Sequence, residues 1–307
     1  MRAITYSRYG SADVLELTEE PDPHIGPDSV VVRVRAASVN PVDWKIREGY
    51  LEGLVDVTFP AIPGWDVAGV VEQVGLDTPE LQVGDEVYGY VRKDWVQQGT
   101  FAELVAAPVR TLARKPRSLS FEEAAAVPLA GLTAYQSVVR SNVTEGQTVL
   151  VHAAAGGVGS FAVQVARSLG ARVIGTASER NHEWLRSLGV EPVTYGDGLV
   201  EQVRALAPGG VDVALDYVGG DAVAQSAALL APGGVITSIT DAAARDEHGG
   251  GYVWVRPSTT DLEALGRLID DGKVKVEVAQ VFDLVDAAGA HRASEDGHVR
   301  GKVVVRV

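Results

Sequence analysis

The 307-residue chain is 46% hydrophobic and 22% charged, which suits about two folded domains and excludes a disordered, collagen-like or coiled-coil protein. It has no cysteine, so a disulfide framework, a thiolate zinc site, an iron–sulfur cluster and a cysteine nucleophile are excluded together. The 27 Lys and Arg face 41 Asp and Glu, a formal net charge of −14, and such a field repels nucleic acid and anionic lipid surfaces. The opening residues, Met1-Arg2-Ala3-Ile4-Thr5-Tyr6, lack the apolar core of a signal peptide. No run of about 18 apolar residues exists to span a membrane. A cytoplasmic protein is expected.

In chain order, the first ~115 residues read as β-rich, with Gly and Pro punctuating them at 21–28, 60–64, 75–84 and 108–116. Along Ser29 to Ala36, Val30, Val32, Val34 and Ala36 alternate with Arg33 and Arg35, the period of a half-buried strand. Val67 to Val74 and Asp85 to Tyr90 are further strands, and together they suggest a barrel-like β domain. After Pro116 the pattern changes. Ser120 and Glu123 have the spacing of a capping box. Strands at Thr148–His152, Arg172–Thr176, Val193–Tyr195, Val211–Tyr217 and Val235–Ile239 then alternate with helical stretches such as Gly159–Leu169 and Asn181–Leu188. Five such strands predict a doubly wound parallel sheet, an α/β fold. Gly249-Gly250-Gly251 reads as a mobile connection. The last stretch holds a helix, Asp261–Asp270, and two short strands, the final one, Lys302–Val307, returning to the first domain. The predicted domains are residues 1–117, 118–259 and the return 260–307.

The most informative segment is Val149-Leu150-Val151-His152-Ala153-Ala154-Ala155-Gly156-Gly157-Val158-Gly159. A strand ends in a small-residue turn that opens a helix. Ala154, Gly156 and Gly159 have the spacing of the dinucleotide fingerprint, with Ala at its first position. Bare backbone there lets a pyrophosphate approach the helix N-terminus. An NAD site usually carries an acid at the end of the second strand. Here that strand continues Gly175-Thr176-Ala177-Ser178-Glu179-Arg180. Ser178 and Arg180 suit a 2′-phosphate, the guanidinium by charge and forked donors, with Glu179 pointing away. Ser178 also reads as the cap of the next helix.

These motifs, read together, resemble the zinc-independent branch of the medium-chain dehydrogenase/reductase superfamily, nearest its quinone oxidoreductase (zeta-crystallin-like) and enone reductase group. The segments that carry the resemblance include Asn40-Pro41-Val42-Asp43-Trp44-Lys45, Pro63-Gly64-Trp65-Asp66-Val67-Ala68-Gly69, Gly99-Thr100-Phe101-Ala102-Glu103, Ala130-Gly131-Leu132-Thr133-Ala134-Tyr135 and Arg300-Gly301-Lys302-Val303-Val304. The resemblance implies a GroES-like catalytic domain interrupted by a Rossmann domain, a homodimer with Gly249–Val255 as its edge segment, and NADPH in the cleft between the domains. It implies pyrophosphate contacts from Gly156, Gly157, Val158 and Gly159. Ser178, Arg180 and Tyr195 match positions around the 2′-phosphate. Thr133, Val218, Gly219, Ser238 and Ile239 match positions near the nicotinamide half, and Lys302 a position near the cofactor. Zinc-dependent relatives place Cys at Asn40 and His at Trp65, so no metal is expected.

The function implied is hydride transfer from NADPH to a quinone or to the β-carbon of a small α,β-unsaturated carbonyl. Asn40, Lys45 and Tyr50 are the candidate donors for the oxygen on which charge develops. Trp65, Trp95 and Trp254 are candidates for a flat aromatic pocket shared with those three. Bland readings stand beside these: Asn40 as a turn residue, Asp43 as a structural acid bonding backbone or pairing with Lys45 or Arg47, and His152 as a structural histidine. An enoyl-thioester reductase and a non-catalytic NADPH-binding redox sensor are the alternative functions.

Overall fold

The alternation at Ser29–Ala36 belongs to an eleven-residue strand, Ser29–Val39, the hub of a seven-stranded sheet. It pairs antiparallel with Asp66–Val74, Leu104–Pro108 and Lys302–Arg306. Val30, Val32 and Val34 are buried while Arg33 and Arg35 are exposed, as the period requires. Beyond Ala36 the alternation stops, because Ala37 and Ser38 are buried as well and both faces of the sheet are covered there. One core lies under Val30, Val32, Val34, Val67 and Val105. A second gathers Ile4, Phe101, Leu284, Val303 and Val305.

The computed structural model describes all 307 residues. One compact unit comprises Met1–Leu129, Pro257–Asp270 and Val276–Val307, and the other Ala130–Arg256 with Asp271–Lys275. Residues 118–129 fall in the first unit because they are bonded there. In the capping box at Ser120, its N–H donates to Glu123 Oε2 at 2.8 Å and the Glu123 N–H to Ser120 Oγ at 3.2 Å. The Leu129 N–H reaches Asp66 Oδ1 at 2.8 Å. The final strand, Lys302–Arg306, runs antiparallel to Ser29–Val39 and parallel to Val278–Asp283.

The second unit carries six parallel strands in the order Glu191–Val193, Arg172–Thr176, Thr148–Val151, Val211–Asp216, Leu230–Ser238, Gly251–Tyr252. Numbered along the chain this is 3-2-1-4-5-6, the order of a dinucleotide-binding Rossmann sheet. Two details correct the sequence reading. Gly251–Tyr252 is a sixth strand where a mobile glycine connection was expected; a two-residue strand beginning on Gly leaves no periodic signal. The fifth strand begins at Leu230 rather than Val235, through a register shift that accommodates Pro232-Gly233-Gly234.

Candidate functional site

In the second unit, the first strand ends at Val151 and the chain turns through Ala153, a non-glycine residue at φ 51°. Gly156 caps the helix Gly157–Ser168 without a side-chain cap, so the helix opens on bare backbone N–H groups. A β-carbon on Gly159 would lie 2.1 Å from the Ala153 carbonyl oxygen and 2.8 Å from Ala154 Cα; no other residue fits this close approach of helix to turn. The turn is tied to the second strand by Ala153 N–H to Thr176 Oγ1 at 3.1 Å and Ala154 N–H to the Thr176 carbonyl at 2.9 Å. The Ala177 N–H bonds the Val193 carbonyl at 3.0 Å. Ser178, Arg180 and Tyr195 therefore all follow the carboxyl ends of adjacent parallel strands. Ser178 caps the short helical turn Glu179–Asn181, while Arg180 and Tyr195 are exposed.

Asp216, which the sequence reading passed over, ends the fourth strand and is fully buried. Its carboxylate accepts the N–H groups of Val218 and Gly219, each at 2.9 Å, and the Ser238 hydroxyl at 2.6 Å. Ser238 Oγ in turn accepts the N–H groups of Thr240 and Asp241. One carboxylate thus shapes both loops that carry Val218, Gly219, Ser238 and Ile239, beside the first strand where the sheet order reverses. An acid closing the strand after the apolar run Val213-Ala214-Leu215 was the available signal. His152 is buried and its Nε2 lies 2.9 Å from Ser226 Oγ. Burial holds its pKa below the ordinary value against the pull of Asp216. Thr133 is buried in the helix Pro128–Arg140, and its carbonyl accepts the Ser137 hydroxyl at 2.6 Å. Trp254 also lies in this unit.

The first unit holds a buried polar cluster at the end of the hub strand. Asn40 is 1% exposed. Its amide Nδ2 donates to Asp66 Oδ2 at 2.8 Å, and its Oδ1 accepts from Lys302 Nζ at 2.5 Å. Lys302, 4% exposed, also donates to the Val39 carbonyl at 2.9 Å and lies 4.0 Å from Asp66. Ser38 Oγ donates to Asp66 at 2.7 Å. Asp43 accepts the Asn40 backbone N–H at 2.7 Å, so it is a cap of the helix Pro41–Arg47. Burial pushes Asp43 up to about 7 and Asp66 above the carboxylate range, and pushes the Lys302 ammonium down.

Lys45 and Tyr50 flank Trp44 at the surface. Lys45 Nζ is 5.5 Å from the Trp44 ring and Tyr50 stacks edge-on against it at 6.3 Å. Tyr50 is 69% and Trp95 52% exposed. Trp44 was not singled out by the sequence, yet its indole nitrogen is shielded from water and has no partner. Trp65 is buried against Tyr90, ring centroids 6.0 Å apart. The residues present do not fit a zinc ion: no three His, Cys, Asp or Glu side chains converge to hold a metal, and Asn40 is occupied by an ammonium and a carboxylate.

Comparisons with known proteins agree with this fold. Residues 26–117 match the alcohol dehydrogenase GroES-like domain and residues 188–305 the zinc-binding dehydrogenase family. The chain is 36% identical to the NADPH-dependent alkenal/one oxidoreductase, chloroplastic, of Arabidopsis thaliana, over 99% of this chain and 79% of that protein. The quinone oxidoreductase of Coxiella burnetii superposes with a TM-score of 0.89 at 36% identity, covering 100% of this chain and 99% of that one. A mycobacterial protein solved in complex with NADPH superposes with a TM-score of 0.86 at 28% identity, both chains covered at 100%. The chain belongs to the medium-chain dehydrogenase/reductase family.

Proposed function

We propose that the protein is an NADPH-dependent, zinc-independent reductase that transfers a hydride to a quinone or to the β-carbon of a small α,β-unsaturated carbonyl. The observation that carries this reading is the turn at Ala153–Gly159. Only glycine fits at 159, and the helix N-terminus opens without a side-chain cap where a pyrophosphate is bound in Rossmann sheets. The names of the similar Arabidopsis, Coxiella and mycobacterial proteins support the cofactor and the substrate class.

When bound, NADPH supplies the hydride. Gly156, Gly157, Val158 and Gly159 hold the pyrophosphate with backbone N–H groups, and Ser178, Arg180 and Tyr195 surround the 2′-phosphate. Val218, Gly219, Ser238, Ile239 and Thr133 seat the nicotinamide half. Charge grows on the substrate oxygen as the hydride adds, and placed donors stabilise it. Asn40 offers its second amide N–H, the first being held by Asp66. The half-buried Lys45 and the exposed Tyr50 offer donors that can also deliver a proton. The cytoplasmic homodimer is part of the same proposal: the edge strand Gly251–Tyr252 has a sheet neighbour on one side only. Light scattering is expected to give twice the monomer mass, and a monomer overturns the dimer.

The test follows absorbance of the reduced cofactor with a panel of quinones, alkenals and enoyl thioesters. Turnover is expected with quinones or alkenals, unchanged by chelators; flat traces throughout overturn the assignment. Arg180→Ala is expected to reduce the preference for NADPH over NADH about tenfold or more, the worth of one charge-assisted contact. Full retention of that preference removes Arg180 from the phosphate site.

A further inference from the structure

We propose that Lys302 is a positioning residue whose ammonium locks the amide of Asn40 for the reaction, rather than a residue that touches the cofactor. Three observations carry this. Lys302 is buried to 4% exposure and donates its hydrogen bonds inside its own unit, to the Val39 carbonyl and to Asn40 Oδ1. Lysine is a donor without acceptor capacity while Asp66 serves here as an acceptor, taking hydrogen bonds from Ser38 Oγ, Asn40 Nδ2 and the Leu129 N–H. Between them only one orientation of the Asn40 amide is satisfied: oxygen toward Lys302, nitrogen toward Asp66. That leaves one N–H of a side chain that is 1% exposed aimed in a single direction, with no partner of its own.

The clamp also fixes the backbone. Lys302 holds the carbonyl of Val39, the last residue of the hub strand, while Asp43 holds the N–H of Asn40 from the first turn of the following helix. Asn40 is therefore pinned from three elements: the closing strand that carries Lys302, the strand that begins at Asp66, and its own helix. A donor held this way needs no reorganisation when charge develops, which is where such groups contribute most. The assignment rests on the proposed role of Asn40 as an amide donor, and the experiment separates the two claims.

The chain has three asparagines, Asn40, Asn142 and Asn181. Protein labelled with 15N at asparagine therefore shows three side-chain amide pairs, and the Asn40 pair is the one lost in Asn40→Ala. In Lys302→Met the Asn40 pair is expected to shift or broaden while the other two stay in place. An unmoved Asn40 pair overturns the clamp, whatever Asn40 does in the reaction. In the kinetic arm, Lys302→Met is expected to lower kcat about tenfold or more, with the KM for NADPH changed less than about twofold. In an Asn40→Ala background the same change is expected to cost nothing further. Additive losses overturn the claim that Lys302 acts through Asn40. A rise in the NADPH KM at unchanged kcat instead makes Lys302 a cofactor contact and overturns it too. Full kcat in Asn40→Ala removes Asn40 from catalysis, and the amide spectrum then decides the clamp alone. Should Lys302→Met fail to fold, Lys302→Gln carries both measurements. It keeps a donor toward Asn40 Oδ1 without the charge, and a resolved shift with a smaller loss of kcat is expected; an unmoved pair overturns the clamp.

Discussion

At the scale of single residues, two side-chain environments decide measurable outcomes. Gly159→Ala places a methyl group against the Ala153 carbonyl at 2.1 Å. The backbone must shift, at a cost of about 1–3 kcal/mol, and the turn that presents the N–H groups moves with it. NADPH affinity, read by fluorescence titration, is expected to fall about tenfold or more; wild-type affinity would mean the turn does not bind the pyrophosphate. His291 is fully buried, and its Nδ1 lies 3.1 Å from Arg47 Nη1. Because arginine only donates, Nδ1 accepts and the proton sits on Nε2, which has no partner. Burial first, and the Arg47 charge second, push this histidine down to about 3 from its ordinary 6.5. The unfolded chain therefore binds the proton more readily than the native one. The stability contributed is complete above pH 6.5 and is lost as pH falls toward 3. Thermal melts of His291→Gln are expected to show a shallower acid-side decline than the wild type over that window. A parallel decline would place the acid sensitivity elsewhere.

At the scale of elements, the helix Pro41–Arg47 is fastened at both ends, and the sequence announced only one fastening. Asp43 at its first turn was readable from the Asn-Pro-x-Asp pattern. The other end depends on Arg47, buried with four acceptors: the Gly10 carbonyl at 2.9 Å, His291, Glu295 Oε1 at 2.8 Å and Glu48 Oε1 at 2.7 Å. Asp43 and Arg47 do not pair with each other; Arg47 instead joins this helix to Ala287–Glu295, about 240 residues away in the chain. Arg47→Leu strands two partly buried carboxylates, Glu48 and Glu295. The expected loss is about 3 kcal/mol or more in urea unfolding; a change below about 1 kcal/mol would show that the pairing is idle. The capping box at Ser120–Glu123 is the opposite case. Its partners are three residues apart, so local spacing sufficed to find it.

At the scale of the whole molecule, the chain leaves its first unit after Leu129 and returns to it at Pro257. The closing strand Lys302–Arg306 fills a gap between Ser29–Val39 and Val278–Asp283, burying Val303, Val304 and Val305 at roughly 1.5–3 kcal/mol each. It also delivers Lys302 to Asn40. Removal of residues 302–307 is expected to abolish the cooperative thermal transition of the first unit, followed by circular dichroism. A truncated chain melting within about 5 °C of the full one would contradict the strand's place in the sheet.

What could be read from order alone was whatever physics makes local. The valine alternation, the strand–turn–helix with its bare glycines, the cap at Ser120 and the alternating strands of a parallel sheet each depend on residues a few positions apart. Tertiary structure alone decided which distant groups meet. Lys302 and Asn40 are 262 positions apart, and Asp216 gathers two loops by folding rather than by spacing. Nor could residue type show that Asn40 and Trp65 are enclosed while Tyr50 and Trp95 face water. Burial and charge pairing depend on what every other segment places alongside, and a one-dimensional pattern carries no record of that.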